Sequence, residues 1–186
     1  MESCTYIDPP ARAIGAVNTV VNKNGLLYGY NTDYAGFAHL CDAHGVDFAG
    51  KTVLILGTGG THNTTRAVAL DKGAAKVLTV SRQPDPEKGE LSYQQAVTSG
   101  AQIVINTTPA GMYPNVGVCP LDVAAMPGLE AVLDVVYNPD KTRLVLCAEA
   151  AGVPIAVGGL EMLVAQAVYA AEYFLGKKFE DVPGEI

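Results

Sequence analysis

The chain has 186 residues, of which 49% are hydrophobic and 17% charged. That composition excludes a disordered chain and suits one well-formed core, or one domain with parts of another. A net charge of −7 excludes the broad basic face that nucleic acid requires, while leaving open a small anionic ligand held by local groups. No apolar run approaches a membrane-spanning length, and the N-terminus Met-Glu-Ser-Cys-Thr-Tyr-Ile-Asp lacks the basic-then-apolar order of a secretory signal. The expectation is a cytoplasmic protein that does not engage a membrane. Its widely spaced Cys4, Cys41, Cys119 and Cys147 are expected to be reduced thiols, with no metal-ligand spacing.

In chain order, Ile14–Val21 and Leu26–Tyr30 read as a β-hairpin turning around Asn22-Lys23-Asn24-Gly25. Thr32 is placed to cap a helix over 33–44 that stops at Gly45. Thr52–Leu56 is a buried strand, followed by a helix over 61–72 closed by Gly73. A second strand spans 76–81, a Pro/Asp/Glu-rich loop 83–90, and a short helix 91–98. A third strand over 102–107 ends in Thr108-Pro109-Ala110-Gly111, and a loop with two prolines follows to Pro120. A fourth strand over 131–136, a helix over 141–151, a short strand at 155–157 and a long helix over 160–175 complete the series. Repeated strand–helix units with uniformly apolar strands predict an α/β, Rossmann-like, doubly wound parallel sheet covered on both faces. The hairpin has no place in that sheet and reads as a remnant of another domain.

The most informative segment is Thr52-Val-Leu-Ile-Leu-Gly-Thr-Gly-Gly60, an apolar run broken by three glycines within four residues and followed by a helix. Glycines let the backbone turn tightly and approach a pyrophosphate, and the free N–H groups of the next helical turn hold the anion. A strict dinucleotide fingerprint needs glycine where His62 stands, so a purely structural tight turn is the competing reading. The second strand ends Val80-Ser81-Arg82-Gln83, with no acid before Asp85. A carboxylate there would accept a ribose 2′-hydroxyl, whereas a guanidinium binds a 2′-phosphate; a solvated loop arginine is the bland alternative. Asn31-Thr32-Asp33 is explained by helix capping alone. His39 and His44, five apart, are not expected to share a helix face, and His62 is read as a partly exposed helix-start residue. Tyr137-Asn138-Pro139 follows a strand at the edge where ligands sit in such sheets, although Asn-Pro is also an ordinary turn.

Taken in order, these pieces resemble the shikimate dehydrogenase family. The resemblance rests on Gly15-Ala16-Val17-Asn18-Thr19, on the run from Gly29 to Phe37, on Gly57-Thr58-Gly59-Gly60 and on Ser81-Arg82. It continues through Ile105 to Met112, Asp134 to Pro139, and Gly158 to Ala167. The resemblance implies NADPH-dependent reduction of 3-dehydroshikimate to shikimate, a step of aromatic amino acid (chorismate) biosynthesis. It makes Asp33 the catalytic carboxylate and Asn18, Asp33 and Gln166 the substrate-binding set. Gly57, Thr58, Gly59, Gly60, Ser81, Arg82, Thr107, Tyr137, Gly159 and Met162 then become the NADP-binding set, with Arg82 facing the 2′-phosphate.

The family also has an N-terminal substrate domain with a serine pair and a catalytic lysine, and this sequence begins after that lysine's position. Lys23, in the hairpin turn, is no substitute. The expected division is residues 1–32 as a substrate-domain remnant, 33–160 as the NADP-binding domain, and 161–186 as a helix packing back toward the substrate domain. His62 and Asn63 depart from the small and basic residues common in the family at those positions. The chain alone is expected to be inactive, and to form a homodimer through the bared hairpin. Two alternatives stand beside the main reading: a quinate/shikimate dehydrogenase, and a nucleotide-binding module without catalysis.

Overall fold

The computed structural model describes residue 1 and residues 3–179; the last seven positions of the expected 161–186 segment lie outside them. Five strands form one parallel sheet: β4 (Thr52–Leu56), β5 (Lys76–Val80), β6 (Ile103–Asn106), β7 (Ala131–Asp134) and β8 (Ile155–Val157). Their order across the sheet is β5-β4-β6-β7-β8. The chain therefore leaves β4 in one direction and returns on its other side at β6. That reversal opens a crevice at the carboxyl ends of β4 and β6, where ligands of open α/β sheets bind.

Alternation along each strand builds two cores. Val53, Ile55, Ile105 and Leu133 face α2 (Thr32–Ala43), α3 (Gly60–Asp71) and α6 (Leu160–Leu175), meeting Phe37, Leu40, Val68 and Met162. Leu54, Leu56, Val104 and Val132 face the opposite layer, α4 (Tyr93–Val97) and α5 (Arg143–Ala150), through Ala96, Leu144 and Ala148. Both faces are covered, which is why these strands carry no polar alternation.

The N-terminal region differs from its sequence expectation. Ile14 ends a helix, α1 (Pro9–Ile14), and does not open a strand. Pro9 and Pro10 fix a helical φ at its first positions, and Gly15 closes it at φ +77°, donating to Ala11 O and Arg12 O. Ala11 and Ile14 are buried, and their three-residue spacing is that of one helix face. The hairpin is narrower than expected, β2 (Thr19–Lys23) against β3 (Leu26–Tyr30), turned at Asn24 and Gly25, both with positive φ. A two-residue strand, β1 (Tyr6–Ile7), adds parallel to β3 and makes a separate three-stranded sheet. Tyr30 stacks on Tyr173 of α6 at 3.8 Å between centroids, which holds this sheet to the body.

Elsewhere the differences are at element ends. The cap of α2 is Asn31, whose Oδ1 accepts from Tyr34 N at 3.1 Å, so Thr32 is freed for another role. Leu91 forms a bridge to Val80, and α4 starts after the Ser92 capping box. A single 3-10 turn at Pro86–Lys88 interrupts the expected loop, and another lies at Val123–Ala125.

Candidate functional site

At the end of β4 the glycine turn has the shape a phosphate needs. Gly57 sits at φ +99°, and a Cβ there would lie 2.8 Å from Thr108 Cγ2 and 3.1 Å from Thr107 Oγ1. Only glycine lets the β4 and β6 ends approach this closely. Thr107 fastens the approach: its N–H and hydroxyl both donate to Leu56 O, at 3.0 and 2.7 Å. Gly59 and Gly60, by contrast, face open space with nothing within 4 Å of a built Cβ. Gly59 is the N-cap of α3 and offers no side-chain cap, so the N–H groups of Gly60 and Thr61 keep their donor capacity for an anion, while His62 N donates to Gly59 O at 3.1 Å. Thr58 is exposed beside them.

Ser81 and Arg82 follow β5 at the neighbouring edge, with Arg82 exposed; burial raises the Tyr93 phenol pKa, and the Arg82 charge only partly opposes it. Ser81 Oγ accepts from Gln83 N at 3.2 Å and holds the turn that presents Arg82. His62 is, as expected, a partly exposed residue at the start of α3, and its Nε2 lies 2.8 Å from Thr79 Oγ1, tying α3 to β5.

On the other side of the crevice, Tyr137 is exposed after β7, whereas Gly159 is buried where β8 turns into α6. A Cβ on Gly159 would lie 2.3 Å from Val135 O, so this turn is pressed against the strand-end backbone. Met162 also goes inward, packing in the core with Phe37.

A second cluster forms where α2 and α6 run together. Gly36 permits the contact, since a Cβ there would lie 2.7 Å from Met162 O and 3.0 Å from Gln166 Cβ. Asn18, just before β2, has its Oδ1 fixed by Thr32 N at 2.9 Å, Thr19 Oγ1 at 3.2 Å and Thr32 Oγ1 at 3.3 Å. With its oxygen so occupied, the amide NH₂ is the group left free to act on the neighbouring Asp33 carboxylate. Burial pushes the Asp33 pKa up, and the nearby Asn18 amide only partly opposes it. Gln166 joins through Thr32, whose hydroxyl lies 3.3 Å from Gln166 Oε1. Asn18, Asp33 and Gln166, separated by up to 148 positions in sequence, thus meet around Thr32. Thr32 was legible only as a cap; its bridging role arises from the α2–α6 crossing. No basic side chain lies within salt-bridge distance of Asp33 among the described residues, and Lys23 sits over the Tyr28 ring.

His39 and His44 depart from their expected separation. Both reach Glu161 of α6, His44 Nε2 at 2.8 Å from Oε2 and His39 Nε2 at 3.5 Å from Oε1. His44 is the C-cap of α2, past the last helical turn, so the helical wheel does not govern its direction.

At the ends of β6 and β7 lies a buried polar network absent from the sequence reading. Asp134, fully buried at the end of β7, accepts from Asn106 Nδ2 at 2.9 Å, Val136 N at 3.0 Å and Thr142 Oγ1 at 2.7 Å. Asn106 in turn accepts from Thr108 N at 3.1 Å and Thr108 Oγ1 at 2.6 Å. The network locks the turns after β6 and β7, which carry Thr107 and Tyr137. Its signal in sequence was a polar residue, Asn106 and then Asp134, closing an otherwise apolar strand.

No protein-family model matches the chain. Shikimate dehydrogenase (NADP(+)) of Clostridium perfringens strain SM101 is 37% identical over 191 residues, covering 97% of this chain and 69% of that protein. The chain belongs to the shikimate dehydrogenase family. Among solved structures, a chorismate mutase/shikimate 5-dehydrogenase fusion protein from Clostridium acetobutylicum superimposes with a TM-score of 0.91 at 30% identity. That match covers 98% of this chain and 69% of the fusion protein chain. Shikimate 5-dehydrogenase from Thermus thermophilus, solved in complex with NADP(H) and shikimate, matches with a TM-score of 0.82 at 29% identity, over 97% of this chain and 70% of that one. The chain thus spans about two thirds of the length of the shikimate dehydrogenases it matches. No helix among its described residues is long and apolar enough to cross a membrane.

Proposed function

We propose that this chain is the NADP-binding part of a shikimate dehydrogenase, which interconverts 3-dehydroshikimate and shikimate in aromatic amino acid biosynthesis. The observation that carries the reading is the convergence of Asn18, Asp33 and Gln166 around Thr32, since a nucleotide-binding module without catalysis has no use for a polar set of this kind. The expected division at residues 32 and 160 belongs to the same proposal.

The residues present fit the cofactor. Gly59 and Gly60 leave open space before uncapped N–H groups, suited to the pyrophosphate. Arg82, with no acid beside it, suits the 2′-phosphate, with Ser81 shaping its turn. Thr107, Tyr137 and Gly159 would border the remainder, with Met162 supporting Gly159 from the core. When bound, NADPH supplies the hydride. In this reading Asn18 and Gln166 orient the substrate hydroxyls. Asp33, whose raised pKa keeps more of its proton than a free carboxyl does, exchanges a proton at the C3 oxygen through the family's lysine.

Arg82→Ala is expected to weaken NADPH binding by about 1.5–3 kcal/mol and to leave NADH nearly unchanged. Fluorescence titration with both cofactors decides: equal weakening for both would remove Arg82 from the 2′-phosphate. This polypeptide by itself is expected to give no steady-state NADP reduction with shikimate, because Asp33 has no basic partner among the described residues. Turnover comparable to that of a longer relative would show that the lysine is dispensable. A homodimer through the N-terminal sheet follows from its open β2 edge and the exposed Val20 and Leu26. Light scattering should then show association that Val20→Lys removes; a monomer at high micromolar concentration would contradict it.

A further inference from the structure

Two buried threonines stand behind the amides of Asn18 and Gln166. Asn18 N donates to Tyr30 O at 3.0 Å, and Thr19 pairs opposite Tyr30 in the β2–β3 register, which brings Thr19 beside the start of α2. Thr19 is 7% exposed and Thr32 1%, so each hydroxyl needs a partner inside the protein. Groups with a single role fix both amide orientations. Thr32 N–H can only donate, so the Asn18 atom 2.9 Å away is its oxygen, Oδ1. Leu163 O can only accept, so the Gln166 atom 3.0 Å away is its nitrogen, Nε2. The Gln166 oxygen therefore lies toward Thr32 Oγ1, at 3.3 Å. Thr19 Oγ1 lies 3.2 Å from Asn18 Oδ1, whereas Thr32 Oγ1 lies 3.3 Å from both Asn18 Oδ1 and Gln166 Oε1. If Thr32 gave its proton to Asn18, Gln166 Oε1 would have no donor among the described residues. Asn18 Oδ1 would then be filled by Thr32 alone, leaving Thr19 the longer 3.5 Å contact with Thr32 Oγ1. Every oxygen is served only when Thr19 donates to Asn18 and Thr32 donates to Gln166.

We propose that Thr19 and Thr32 are a linked pair of positioning residues, which turn the amide N–H groups of Asn18 and Gln166 toward the ligand. Thr19 acts at a distance: by serving Asn18 it leaves the Thr32 proton for Gln166, a residue it has no hydrogen bond to. Asn18 is exposed, and with its oxygen held inward both of its amide N–H groups are free. Gln166 keeps one N–H beyond the one spent on Leu163 O. The two amides therefore offer donors only, beside the Asp33 carboxylate. That set takes a ligand whose hydroxyl oxygens accept at Asn18 and Gln166, and it refuses an ammonium, which has no lone pair to offer. The identity of the ligand rests on the dehydrogenase reading above, whereas the hydroxyl pairing does not.

The test is heteronuclear NMR of the isotopically labelled whole chain, following the side-chain amide signals of Asn18 and Gln166. In the wild type both amides should be rigid, and the Thr32 hydroxyl proton should give a cross-peak to the Gln166 amide. Thr32→Val keeps the side-chain shape and removes the hydroxyl, while the Asn31 cap still starts α2. The Gln166 amide order parameter should then fall from about 0.85 to below about 0.6. Thr19→Val should lower it as well, by a smaller amount, because the Thr32 proton is then shared between two amide oxygens. Thr19→Ser and Thr32→Ser keep the hydroxyls and should show the wild-type values. Backbone signals away from the cluster should stay in place in every variant, which separates lost positioning from unfolding. A Gln166 amide as rigid in either valine variant as in the wild type overturns the proposal. So does a wild-type Thr32 hydroxyl proton with a cross-peak to the Asn18 amide alone, a result that needs no variant. None of these readouts uses substrate or turnover, so their failure is distinct from failure of the dehydrogenase reading, which the cofactor titrations test.

Discussion

Asp134→Ala destabilises the protein by about 3–5 kcal/mol at pH 5, as urea unfolding followed by circular dichroism should show. The carboxyl is fully buried and receives three hydrogen bonds, from Asn106, Val136 and Thr142. Removing it leaves those donors facing a cavity without water, at roughly 1–3 kcal/mol each, offset in part by the weak alternatives of Asn106 at Thr108 O and Ala110 O. Burial pushes the Asp134 pKa up to about 6, and the three hydrogen bonds only partly oppose it. A folded-state pKa above the unfolded value means that this group's titration contribution is fully present below about pH 4 and is lost as pH rises through 6. The cost of Asp134→Ala should accordingly be about 1–2 kcal/mol smaller at pH 8 than at pH 5. A cost that rises with pH would show that the carboxylate form is the stabilised one. Asp134→Asn keeps an acceptor for Asn106 and Val136 and should cost less than the alanine.

Gly159→Ala is expected to cost about 3 kcal/mol, at the upper end for overpacking a tight contact. A methyl there meets Val135 O at 2.3 Å and Val135 C at 2.5 Å, backbone atoms that no rotamer change can move aside. Relief requires the start of α6 to shift away from β7. Gln166 is on the same rigid helix and Met162 holds the core below it, so the shift also disturbs the link from Thr32 to Gln166. The expected result is a lower unfolding midpoint together with weaker NADPH binding. Gly60→Ala, whose Cβ meets open space, should leave stability nearly unchanged while weakening the same cofactor. Equal loss of stability in both variants would mean that the close backbone approach at Gly159 is not the cause.

The sequence by itself determined the parallel sheet, because strands buried on both faces must be apolar throughout and each is closed by a distinct turn signal. It also determined the glycine turn, since only a residue without Cβ fits Gly57 against Thr107 and Thr108. It placed the candidate residues in a family by their order along the chain. It misread Ile14 because a six-residue helix and a strand show the same few apolar positions, and Pro9-Pro10 was the decisive cue. Tertiary structure decided what those residues do to one another. Thr32 looked like a cap until α6 crossed α2 at Gly36 and brought Gln166 to its hydroxyl. Likewise, Glu161 gathers His39 and His44 only because α6 lies alongside α2. Asp134 and Asn106 are neighbours only because β6 and β7 pair in register, Asn106 opposite Asp134. Hydrogen bonds between residues far apart in sequence depend on which elements pack, and local propensity carries no record of that packing.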